Sequence, residues 1–140
     1  MLYRVHEILL ISSPYDSYIL EDDGRLTEQI LGEYIGMNLS YAPRLWNATS
    51  ANNAIGMLDD RSFDLIIVML RISDMNPITL SKKIKEKYPE KPIILLAFDE
   101  SELEHIPQNY KQTIDNIFIW SGNSNVFPAI IKYVEDKENV

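Results

Sequence analysis

The chain has 140 residues, with 13 basic against 21 acidic side chains and a formal net charge of −8. That length suits one domain able to bury a core without disulfide or metal staples, and 46% apolar with 24% charged residues argues against disorder. The acid excess argues against a nucleic-acid surface, which needs clustered Lys and Arg. The absence of cysteine removes thiolate metal sites and cysteine nucleophiles.

The first apolar run is Ile8-Leu9-Leu10-Ile11, too short and too continuous for anything but a buried strand. After it, Ser13 to Asp23 reads as a loop of about 11 residues, where connections of roughly 2–6 are usual. Leu26, Ile30 and Tyr34, with Leu31 and Ile35 beside them, predict the first helix. Arg44 to Ala48, after Pro43, is a weaker strand. Ser50 is a candidate N-cap for a helix carrying Ala51, Ala54, Ile55 and Leu58 at helical spacing. Leu65 to Leu70 is the next strand, and Leu80, Ile84 and Tyr88 form a helical stripe behind Pro77, a first-turn proline. Ile93 to Phe98 is a fourth strand. A helix over Glu100 to Tyr110 is expected to be cut short by Pro107. Ile117 to Trp120 closes the set of strands, and Phe127, Ile130, Ile131 and Val134 mark the last helix, with Pro128 near its start.

Continuous rather than alternating apolar runs belong to strands covered on both faces. Strands alternating with helices then give an α/β fold, a doubly wound five-stranded parallel sheet with helices on both faces. Ligands in such sheets gather at the strands' carboxyl ends. Here those positions are Ser12 and Ser13, Met69, Ala97 and Trp120. No run of about 18 apolar residues spans a membrane, and the start, Met1 to Glu7, lacks a secretory core. A cytoplasmic domain is expected.

Phe63 to Leu70 resembles the third strand of response-regulator receiver domains, and Lys91 to Ala97 resembles the fourth. Ala48 to Leu58 is similar to the end of that family's second strand and its second helix, and Asp115 to Trp120 to its fifth strand. The resemblance covers Glu7 to about Glu138 and implies a flavodoxin-like sheet of order 2-1-3-4-5. It also implies what should stand at each strand end. Where receivers hold Mg²⁺ with an acidic pair, this chain has Ser12 and Ser13; where they carry the phosphoacceptor aspartate, it has Met69. Ala97 stands in place of the hydroxyl residue and Trp120 in place of the lysine, followed by Ser121 where proline is usual. A thioether cannot form an acyl phosphate, and neutral hydroxyls are poor ligands for Mg²⁺.

The resemblance therefore implies a degenerate receiver, a two-component signal-transduction module acting by protein interaction without phosphorylation, with no catalytic residue, metal or cofactor of its own. The alternative is a small-ligand or nucleotide-sensing regulatory domain. Met69 and Trp120 are expected to pack against each other and fill the vacated pocket; as the alternative, they line a ligand site. Asp16, Glu21, Asp22 and Asp23 are candidate loop contacts that would return acidity to the site, although Glu21 to Asp23 also suit the positive end of a following helix. The acids lack the spacing of a calcium loop. Ser12 to Ser17 lacks the glycine of a phosphate-binding loop. His6 and His105 have no partners at ligand or triad spacing.

Receiver domains commonly meet partners through the fourth helix, fifth strand and fifth helix, which by resemblance are Glu100 to Tyr110 and Phe127 to Val134 here. Tyr110, Phe127 and Tyr133 are the candidate interface aromatics. Expected partners are another protein, a fused output domain or a second copy of the chain, with neither nucleic acid nor membrane. The charged run from Lys132 to Val140 reads as a domain boundary, so residues 1–140 are expected to be the N-terminal domain of a longer polypeptide. Ser12 to Leu26 is similar to degenerate receivers ahead of phosphoenolpyruvate synthase-like modules, which implies such an enzyme as the output.

Overall fold

The structure is a computed structural model that describes residues 3–22, 43–120 and 126–139. Five strands, β1 (Glu7–Ile11), β2 (Arg44–Ala48), β3 (Leu65–Met69), β4 (Ile93–Ala97) and β5 (Asn116–Ile119), form one sheet of order β2-β1-β3-β4-β5. Every pairing is parallel, with Ile11 opposite Val68, Met69 opposite Leu96 and Ala97 opposite Ile119. The described helices are α1 (Pro14–Asp22), α2 (Ala51–Asp60), α3 (Pro77–Lys87) and α4 (Val126–Glu138). The expected sheet and its order are thus present.

All five residues of β3 and all five of β4 are buried, so each strand feeds two cores at once. On one face Leu10, Ile67, Met69 and Leu96 pack under Phe127, Ile130, Ile131 and Val134 of α4. On the other, Leu9, Ile66, Val68 and Leu95 pack under Ala54 and Leu58 of α2 and Leu80 and Ile84 of α3. Caps set the helix starts. Ser50 Oγ accepts from Asn53 N at 3.0 Å, as its type suggests, and Asp74 accepts from Ala51 and Asn52 N at the same end of α2. Asn76 Oδ1 accepts from Ile78 N ahead of α3, with Pro77 in the first turn. Asp115 ties three elements together: it accepts from Ile93 N at 2.7 Å and from Lys137 Nζ at 2.8 Å, with Lys85 Nζ at 3.3 Å. These donors hold its carboxyl below the ordinary carboxylate range in spite of burial, which works in the opposite direction.

Three expectations need correction. The stretch after β1 is not a long loop: Pro14–Asp22 is helix α1, entered directly from the strand. Ser13 Oγ accepts from Asp16 N at 3.1 Å and Pro14 occupies the first turn, so the start carries a capping serine and a fitting proline. The helical spacing was hidden because this helix buries Asp16 while Tyr15 and Tyr18 face solvent. The segment after β4 is not an α-helix but two 3₁₀ turns, Glu100–His105 and Tyr110–Gln112, with Pro107 between them. Phe127 is not a surface residue: it is 0% exposed, inside the α4 core. The expected helix over Leu26 to Ile35 lies outside the described residues.

Truncating Phe127 to Ala should cost about 3–5 kcal/mol, the range for emptying a fully buried aromatic site. Urea unfolding should show this as a lower midpoint with an unchanged slope; a loss within a few tenths would contradict its place in the core.

Candidate functional site at the carboxyl end of the sheet

In a parallel sheet the strand ends are where backbone pairing stops and side chains become available, and register brings five such positions to one level. Ser12 follows Ile11 of β1, Met69 ends β3, Ala97 ends β4 and Trp120 follows β5, its N donating to Ala97 O at 2.8 Å. Ser12, Met69 and Ala97 are fully buried, and Ser13 and Trp120 partly so. Ser12 is locked in place: its N donates to Ala48 O, its Oγ shares a 2.5 Å hydrogen bond with Ser17 Oγ, and Asn47 Nδ2 donates to that Oγ at 3.0 Å. Met69 belongs to the buried cluster against which Phe98 and Trp120 also pack.

A charged arm crosses this apolar floor. Asp16, on the first turn of α1, is 0% exposed, and neither of its carboxylate oxygens has a hydrogen-bond partner among the described residues. Arg71, just past β3, brings Nη1 to 3.6 Å from Asp16 Oδ1 and donates from Nε to Glu102 Oε2 at 3.0 Å. Its guanidinium lies 4.3 Å from the centroid of the Phe98 ring, which meets Trp120 edge-on at 5.1 Å. Glu102 also accepts from Phe98 N at 2.6 Å, so the first 3₁₀ turn is pinned to the end of β4. Burial pushes the Asp16 carboxyl above the ordinary aspartate range, and the Arg71 charge only partly opposes this. The Trp120 indole N–H is buried without an acceptor among the described residues.

Of the expected acids, only Asp16 is placed at this end, and from a helix rather than a loop. Glu21 and Asp22 lie on the last turn of α1, and Asp23 falls outside the described residues. Arg71, Phe98 and Glu102 were not anticipated. Their one legible sign was Arg71 itself, an arginine right after a continuous apolar run, at a strand end where charge cannot be core. Tyr110 is half-buried against the α2–α3 core, and Tyr133 is half-buried with its ring 5.7 Å from that of Phe118. Both keep part of their surface accessible.

The fold family implies a Mg²⁺ ion at this crevice. Two hydroxyls, a thioether and a methyl group do not suit a hard cation that requires charged oxygen ligands. The one buried carboxylate already faces the Arg71 guanidinium. No group of three or more His, Asp or Glu able to hold a metal occurs among the described residues. The donor set does not fit the ion.

No family model and no curated protein matches the sequence. Solved structures do match. The signal receiver domain of an HD domain-containing protein from Pseudomonas fluorescens Pf-5 is 20% identical, with TM-score 0.68, over 99% of this chain and 92% of that one. A response regulator receiver domain protein from Clostridium thermocellum is 15% identical, with TM-score 0.71, covering 95% and 96%. The response regulator TrrA from Thermotoga maritima, solved in complex with Mg²⁺ and BeF, is 16% identical, with TM-score 0.63, covering 92% and 98%. The chain has the receiver-domain fold of two-component response regulators.

The raised Asp16 pKa has a definite sign for stability. Between the ordinary aspartate range and the elevated value in the fold, the native state binds more protons than the unfolded chain, so stability falls as pH rises through that window. Asp16→Asn should remove this slope and be at least as stable as the parent at neutral pH, as read by thermal melts from about pH 4 to about pH 8. A variant that is clearly less stable at pH 7 would mean that the ionised pair with Arg71 outweighs the burial penalty.

Proposed function

We propose that this chain is a degenerate receiver, a regulatory module that signals by protein contact and not by phosphoryl transfer. The observation that carries this reading is Met69: the last residue of β3, fully buried, is a thioether where the chemistry needs a carboxylate nucleophile. Its neighbours agree. Ser12 and Ser13 stand where an acidic pair would hold the metal, and Trp120 brings an uncharged N–H where a cation would pair with the phosphoryl group. Asp16 is no substitute acceptor, because it is enclosed and its attacking oxygens lie against Arg71.

A receiver of this kind has no enzymatic step of its own, and its output belongs to a protein partner or a fused domain. The first of the similar structures comes from a protein described as HD domain-containing. A phosphoenolpyruvate synthase-like output, suggested by the Ser12 to Leu26 stretch, is the particular fusion we infer. The contact face lies where the missing fourth helix would be. The two 3₁₀ turns cover edge strand β5 incompletely, and a cavity of about 360 Å³ opens between Leu103, Ile106, Pro107 and Tyr110 on one side and Ile117 and Ile119 on the other. All four β5 residues remain partly exposed there. The second reading, small-ligand sensing, has the unpartnered Asp16 oxygens and Trp120 indole in its favour.

Incubation with acetyl phosphate and Mg²⁺ should leave the intact mass unchanged, and beryllofluoride should leave the sedimentation profile unchanged. Stoichiometric gain of one phosphoryl group would sink the proposal. For the second reading, Trp46→Phe leaves Trp120 as the sole tryptophan of the two in the chain. Quenching of its emission by a nucleotide or metabolite, together with a raised melting temperature, would favour sensing over contact.

A further inference from the structure

A sheet edge offers backbone donors and acceptors to another chain, and the two edges here differ in what surrounds that offer. At β2 the flanking groups are charged: Arg44 pairs with Glu7 at 3.7 Å, and Arg61 lies 3.8 Å from the centroid of the Trp46 ring. At β5 the strand Asn116-Ile117-Phe118-Ile119 has no charge. Asp115, just ahead of it, is already taken by Lys85 and Lys137.

Backbone direction along β5 follows from its register. In a parallel ladder, alternate residues of an edge strand turn both N–H and C=O to the neighbour, and those between turn both outward. Trp120 N donates to Ala97 O, which puts Phe118 in the inward set and Ile117 and Ile119 in the outward one. The Ile117 N–H agrees, donating at 2.9 Å to Asn116 Oδ1, a side chain of its own strand. Outside the ladder, no described residue bonds the Ile119 backbone. Ile117 and Ile119 also border the hollow of about 360 Å³ beside the 3₁₀ turns.

We propose that β5 is a self-pairing edge: two copies of this chain join antiparallel through Ile117 and Ile119, about a two-fold axis at Phe118, into one sheet continuous across both. The occupant follows from the symmetry of the edge. Ile-Phe-Ile reads the same in both directions, so the two-fold sets Ile117 opposite Ile119 twice and Phe118 opposite Phe118. Each Ile–Ile pair then exchanges both of its outward hydrogen bonds, and every pair along the seam is apolar against apolar. Phe118 already meets Tyr133 edge-on at 5.7 Å, and the axis brings a second such ring pair beside the first. Two chains of net charge −8 thus meet along an uncharged line. The inference rests on the contact-module reading and names its partner. A strictly monomeric chain would leave phosphoryl inertness untouched, and a phosphorylatable crevice would leave the pairing in place.

The test is sedimentation of the chain from about 10 to about 500 µM, a range that reaches weak contacts. The weight-average mass should rise from 16.2 kDa towards twice that value. Raising NaCl from about 50 to about 300 mM should leave association unchanged or strengthen it, since salt screens the repulsion between two acidic chains. Ile119→Pro removes an outward donor and no ladder bond, so it should weaken association about tenfold or more with an unchanged circular dichroism spectrum. The chain has no cysteine, so Phe118→Cys places one thiol on each copy. Opposed residues at a non-hydrogen-bonded antiparallel position have Cα atoms about 4.5 Å apart, within disulfide reach. Mild oxidation should link that variant into covalent dimers at least about tenfold faster than Asn52→Cys, exposed on α2. If Phe118→Cys does not fold, sedimentation of the parent against Ile119→Pro decides. A chain still monomeric at about 500 µM, association that salt abolishes or Ile119→Pro leaves intact, or equal cross-linking at both cysteines would each overturn the proposal.

Discussion

Two central strands without a single exposed residue constrain everything else in this molecule. β3 and β4 must be covered on both faces, so their ten residues are all apolar and none can carry chemistry. Polar function is thereby pushed to the strand ends and the helix surfaces. Turns at the carboxyl end must also absorb the change from continuous burial to solvent within one or two residues. Ser12, Met69, Arg71, Phe98 and Trp120 gather at that end of the sheet.

A charged arm spans that crevice. Arg71 touches Asp16 from α1, lies over Phe98 from the end of β4 and holds Glu102 in the first 3₁₀ turn. One side chain therefore joins α1 to the end of β4 and the first 3₁₀ turn, which Phe98 N and Glu102 already link. An arginine is suited to this, since a planar guanidinium stacks on a ring and offers donors in several directions at once. The cost lies on Asp16, whose desolvated carboxyl has the cation at 3.6 Å but no hydrogen bond among the described residues. The crevice thus holds a fixed cation supplied by the chain itself.

Legibility in the sequence followed physical type. Strands betrayed themselves because burial on both faces leaves only one kind of sequence; Arg44 to Ala48 was legible to its ends, and the others to within a residue. Helices α2 and α3 were legible through their stripes, the Ser50 cap and the first-turn Pro77, whereas the Asn76 cap was not read. Helix α1 was not, since its inward residue is an aspartate and its outward residues include Tyr15 and Tyr18, both about two-thirds exposed at 66% and 65%. Apolar spacing finds a helix only when the helix packs on an apolar floor. The serine–proline start was the better signal. The 3₁₀ turns were half-legible, because Pro107 announces an interruption but not the tighter winding that replaces the helix. Phe127 carried its mark in the apolar stripe with Ile130, Ile131 and Val134, and that spacing, not its aromatic ring, tells which way it points.

The two sheet edges are treated differently, and the difference bears on where contact occurs. At β2, Trp46 is flanked by Arg61 at 3.8 Å and Arg44 at 5.0 Å, and its indole donates to Glu7, so that edge is crowded with charge. At β5, Asn116 to Ile119 carries no charge, no proline and no bulge, the devices that normally blunt an edge. A full fourth helix would shield it, but the short 3₁₀ turns leave the 360 Å³ hollow instead. Under the contact reading proposed above, this is the edge that a partner would cover.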